Sequence, residues 1–68
     1  MTTITRDSQT RKAGHRLLAD AVAATYRIEL ADIDVIHITS FFVHVTTTVD
    51  GETTCVKYRR PTWMEAAA

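Results

Sequence analysis

The sequence holds one cysteine, one proline, one tryptophan and two glycines, and its charges cancel, with eight Lys/Arg against eight Asp/Glu. Each shortage excludes something. A lone Cys55 cannot close a disulfide within the chain, and no Cys/His spacing builds a structural zinc site. Gly14 and Gly51 stand far apart, so there is no glycine-rich loop to cradle a phosphate. A balanced total charge argues against strong non-specific DNA binding, whose affinity accumulates from phosphate contacts. No apolar run approaches the roughly 20 residues that span a bilayer. The start, Met1-Thr2-Thr3-Ile4-Thr5-Arg6-Asp7, carries no signal-peptide core. A cytoplasmic location without a membrane partner is expected, and a single thiol agrees with a reducing compartment.

What is there is a foldable chain. At 46% hydrophobic and 24% charged residues, it is too apolar to stay disordered. Its 68 residues form one small domain, 1–68. A domain of this size buries only about 60% of the surface its unfolded chain exposes. A second copy or another partner would add stability that the core cannot supply alone.

Two compositional regimes divide the chain. Residues 9–28 are rich in alanine and poor in β-branched residues, whereas residues 33–59 are dominated by Val, Ile, Thr, Phe and Tyr. The first predicts one helix over about 9–28, with Leu17, Leu18, Ala21, Val22, Thr25 and Ile28 as its buried stripe. Asp7 or Ser8 is the expected N-cap. Gly14 extends the stripe as a close approach or a weak point.

The second regime predicts a hairpin. Asp50-Gly51 suits a type I′ turn, which sets Val49 opposite Glu52 and Val45 opposite Val56. One face then carries Phe41, Val43, Val45, Val49, Val56 and Tyr58 toward the helix. The other carries Phe42, His44, Thr46, Thr48, Thr53, Cys55, Lys57 and Arg59. Upstream, Ile36 and Ile38 are apolar at even positions while Val43 and Val45 are apolar at odd ones, and a period of two cannot change parity unaided. Either a bulge at Thr39-Ser40 bends one long strand, or a turn there starts another. The turn is preferred; it sets His37 opposite Phe42 and diagonal to His44. Thr2–Ile4 can add a short edge strand. Pro61 ends the ladder, leaving 62–68 as a tail or one more helical turn. The expected architecture is a two-layer α+β domain, one helix packed on a two- or three-stranded antiparallel sheet over about 34–59.

With helix on one face, the other is open. Phe42, His44, Lys57 and Arg59 gather there, with Arg60 and Trp63 just beyond, and these six are the expected partner-binding residues. Aromatic and arginine side chains are over-represented at protein interfaces and their hot spots. Catalytic and cofactor sites are not expected. His37 and His44 are two ligands where a metal needs three or four, a flat sheet offers no cleft, and Cys55 has no activating base. The chain is therefore expected to be a non-enzymatic macromolecule-binding protein, an inhibitor or adaptor acting on a protein or nucleoprotein partner. From size and architecture alone, a phage-encoded inhibitor of a bacterial defence complex, such as an anti-CRISPR, is an example of the class. The alternative is nucleic-acid binding through the same basic and aromatic face. A homodimer covering Phe42, Val35 and Cys55 would compensate for the small core.

Overall fold

Asp50 and Gly51 both adopt positive φ, 53° and 79°, as a type I′ turn requires. The strands they join, β3 (Phe42–Val49) and β4 (Glu52–Arg59), pair in the expected register, with Val49 opposite Glu52 and Val43 opposite Tyr58. In a computed structural model describing residues 2–67, two more strands complete the sheet: β1 (Thr2–Thr5) and β2 (Ile33–Ile38). The order is β1-β2-β3-β4, all antiparallel, so the sheet has four strands rather than two or three. Residues 36–49 form two strands.

The turn between β2 and β3 lies one residue later than expected. Ile38 pairs with Val43 and His37 with His44, leaving Ser40 and Phe41 at the tip. Thr39 closes the turn by itself. Its amide donates to the Phe42 carbonyl at 2.9 Å, and its hydroxyl lies 3.1 Å from both the Phe42 carbonyl and the Phe42 amide. The hydroxyl replaces one backbone bond of an ordinary hairpin, so no primed-turn sequence is needed. Two expectations are thereby corrected. His37 faces His44, not Phe42, and Phe41 is 75% exposed rather than in the core.

The two-residue turn accounts by itself for the change of parity between Ile36/Ile38 and Val43/Val45, and a separate bulge lies upstream at Asp34. Ile33 pairs with Thr47 and Val35 with Thr46, so Asp34 is a bulge. It lets Ile33 point inward together with Ile36 and Ile38, and all three are buried.

The helical layer covers the face made by Ile4, Ile36, Ile38, Val43 and Val45. The predicted helix is broken in two, α1 (Arg6–Arg11) and α2 (Ala13–Tyr26), because Lys12 is extended at φ −123° and ψ 113°. Its true N-cap is Thr5. The Thr5 hydroxyl accepts from the Ser8 amide while the Ser8 hydroxyl accepts from the Thr5 amide, a capping box in which serine replaces the usual Glu or Gln. The buried stripe is also rotated from the expected one. Ala19, Val22 and Ala23 are buried, whereas Leu17 is 70% exposed and Thr25 is exposed. Small alanines let the helix axis approach the sheet, so the contact line follows them and displaces the larger Leu17. Gly14 is exposed with open space where a Cβ would sit, so it is the weak point and not the close approach.

After Tyr26 the chain turns through Arg27 in the left-handed region. A short 3-10 turn (Leu30–Asp32) then leads into β2. At the far end α3 (Thr62–Ala67) folds back, burying Met64 in the core.

Candidate functional site

The side of the sheet away from the helices carries a transverse row of polar side chains, one from each strand. Thr3 pairs with His37, His37 with His44, and His44 with Lys57. Period-two alternation aims all of them outward, since their neighbours Ile4, Ile36, Val43 and Val45 are the core. The row is ordered by contact. The Thr3 hydroxyl lies 2.9 Å from His37 Nδ1, and the two imidazole rings are 6.1 Å apart. Phe42 stands beside the row, edge-on to His44 at 6.5 Å, and the Lys57 ammonium sits 4.5 Å from its ring centroid. That cation–π contact fixes both side chains on the surface.

Arg59 pairs with Phe42 across the strands, on the same face. Phe41, Phe42, Ser40, Arg59, Arg60 and Thr62 enclose a shallow depression of about 500 Å³ at this corner. One corner of the protein thus displays two phenylalanines and two cations, Lys57 and Arg59.

Arg60 lines the depression but its guanidinium is engaged by backbone carbonyls, and Trp63 lies off the outer face. The Arg60 guanidinium reaches the carbonyls of Thr39, Ser40 and Met64 at 3.3–3.4 Å, so it ties the β2–β3 turn to α3. Trp63 folds back onto α2, its indole N–H donating to the Thr25 hydroxyl at 3.2 Å. Trp63 thus belongs with the helical layer and Arg60 bridges that layer to the β2–β3 turn at the rim of the depression, while Phe42, His44, Lys57 and Arg59 of the six expected residues project from the outer face. Conversely Phe41, assigned to the core by parity, lies at the exposed corner. The only sequence signal that could have moved it is that a turn residue escapes the alternation on either side.

The opposite end of the outer face is a closed polar network. Thr48 donates to the Asp34 carboxylate, Arg6 Nε donates to its other oxygen at 2.9 Å, and Arg6 Nη2 reaches the Ala31 carbonyl at 2.7 Å. Thr53 lies 3.0 Å from Thr48 and extends the chain to β4. The Thr48 hydroxyl first, and the Arg6 guanidinium second, hold the Asp34 carboxyl below the usual carboxylate range. These groups satisfy one another, so this end offers a ligand little.

Chemically, the exposed corner is a shallow aromatic surface with cations at its rim. Compared with protein-family models, curated proteins and solved structures, the chain matches none.

Proposed function

We propose that this chain is a non-enzymatic binding protein that docks a protein or nucleoprotein partner on the corner formed by Phe41, Phe42, Lys57 and Arg59, acting as an inhibitor or adaptor. The observation that carries this reading is Phe41, a phenylalanine left 75% exposed at a turn tip beside a second exposed phenylalanine. Neither ring belongs to the buried core, and water is a poor neighbour for both. Aromatics flanked by arginine are the usual composition of an interface hot spot. The size of the chain suits inhibitors of larger complexes, including phage proteins that block bacterial defence systems.

The test is comparative capture. Wild-type bait and a Phe41→Ser/Arg59→Ala bait, both checked by circular dichroism, are exposed to the same native lysate and their ligands identified by mass spectrometry. A protein retained by the wild type and lost by the folded variant supports the reading. Identical capture by both baits overturns it. Nucleic acid in the retained fraction, released steeply with rising salt, would transfer the same corner to the alternative of nucleic-acid binding.

A further inference from the structure

The sheet has one short edge and one long one. β1 is four residues and runs straight into the α1 cap, while β4 is eight residues with no proline and no bulge. The amide of Arg60 donates to the Phe41 carbonyl at 3.0 Å. Together with the two-residue turn, this sets which residues of β4 bond to β3: Glu52, Thr54, Val56 and Tyr58. Thr53, Cys55, Lys57 and Arg59 therefore turn their amides and carbonyls outward along the edge. The Arg59 carbonyl is already taken, because the Tyr26 hydroxyl donates to it at 2.7 Å. The open stretch runs from Thr53 to Lys57 and is centred on Cys55.

Two features make this stretch complementary to itself. Its open positions are symmetric about Cys55. Its charges are antisymmetric, with Asp50 and Glu52 before it and Lys57, Arg59 and Arg60 at its end. The usual protection of an edge is also missing, since the Lys57 ammonium lies over Phe42 on the outer face instead of guarding the edge.

We propose that β4 pairs antiparallel with β4 of a second copy about a twofold axis at Cys55. Cys55 then stands opposite the partner's Cys55, Thr53 opposite the partner's Lys57, and Thr54 opposite the partner's Val56. The acidic start of each strand meets the basic end of the other, an isologous interface. The axis is normal to the sheet, so both exposed corners face the same side of one continuous sheet. Val56, 41% exposed on the helix side of β4, gains a neighbour across the junction.

Sedimentation of the full chain over a concentration series, with crosslinking of its single thiol by diamide, tests this independently of any partner. A hydrogen-bonded antiparallel pair has Cα atoms about 5.5 Å apart, within disulfide reach. The expected result is a species of twice the chain mass that diamide converts to a covalent dimer, with Cys55→Ser still dimeric and not crosslinked. Cys55→Pro removes only an outward amide, which edge strands tolerate. It should keep its circular dichroism spectrum and lose about tenfold or more in self-association, because two axial bonds go with it. A wild type that stays monomeric into the hundreds of micromolar overturns the proposal and leaves the edge to a strand of another chain. So does a dimer that diamide does not crosslink, or a folded Cys55→Pro that dimerises as well as wild type. Should Cys55→Pro not fold, the crosslink decides.

Discussion

Val45 and Val56 are cross-strand neighbours on the same face of the same sheet, yet Val45 is buried and Val56 is 41% exposed. β1, β2 and β3 lie under α1 and α2, while β4 extends past them. A helix is about 10 Å wide, and strands are spaced about 4.8 Å apart. One main helix therefore covers about three strands and leaves a fourth bare on that side. Tyr26 bridges α2 to this strand, stacking on Tyr58 at 4.2 Å and donating to the Arg59 carbonyl. Alternation thus reports which way a side chain points, and coverage is decided by the width of the layer above it.

The largest expected effect tests that difference directly. Val45→Ala should cost about 2–3 kcal/mol, from two lost methyl groups and the cavity they leave. Val56→Ala, although the same chemical change on the same face, should cost no more than about 0.5 kcal/mol, as surface substitutions do. Urea midpoints at constant m-value would measure both. Equal losses would mean that β4 is covered after all.

On the outer face, Phe42→Ala and Arg59→Ala should each weaken partner binding by about 1–3 kcal/mol while leaving the thermal midpoint nearly unchanged. Neither side chain fills space in the core, so neither loss opens a cavity. Titration calorimetry against the captured partner, beside a melt of each variant, separates the two quantities. A Phe42→Ala protein that unfolds while Val45→Ala does not would turn the sheet inside out.

How much of this was readable beforehand follows from the range of the interactions involved. Asp50-Gly51 encodes its turn in two adjacent residues, so the register of β3 on β4 and the outward facing of Phe42, His44, Lys57 and Arg59 could be read directly. The β2–β3 turn is closed by one hydroxyl, Thr39, and the composition of the tip does not announce it. An error of one residue there moved Phe41 from the exposed corner into the imagined core. The helix stripe failed for another reason: Leu17 is the more hydrophobic residue, but Ala19 and Ala23 permit the closer approach, and closeness of packing is a property of two elements together. For Arg60 and Trp63 the sequence offers only residue type and a position just beyond the hairpin. What holds each of them, the Thr39 and Ser40 carbonyls or the Thr25 hydroxyl, lies more than a dozen residues away in the chain.

The Asp34 network crosses the boundary between covered and uncovered regions, linking α1 through β2 and β3 to β4. Because Asp34's carboxyl is held below its ordinary range in the folded protein, its ionised form binds more favourably folded than unfolded. That contribution is complete above the unfolded carboxylate's titration and disappears as pH falls through the lowered folded value. Asp34→Asn should therefore melt below wild type at neutral pH, with the gap closing in acid. Melting curves from pH 7 to 2 would check this, and a gap independent of pH would show that the bulge matters by its shape, not by its charge.

The smallest effect belongs to the end of the covering helix. Arg27 closes α2 in the left-handed region at φ 55° and ψ 49°, with its amide donating to the Ala23 carbonyl. A side chain there costs about 1–2 kcal/mol that glycine does not. Against this, glycine loses more backbone entropy on folding, and a cation at a helix C-terminus contributes a few tenths of a kcal/mol. Arg27→Gly should come out ahead by about 0.5 kcal/mol, a rise of roughly 2–4 °C in the melting midpoint for a domain this small. Arg27→Ala keeps the backbone cost and discards the charge, so it should melt below wild type. If glycine also lowers the midpoint, the guanidinium contributes more at this helix end than its conformation costs, and the cover over β1 to β3 is held down by charge as well as by packing.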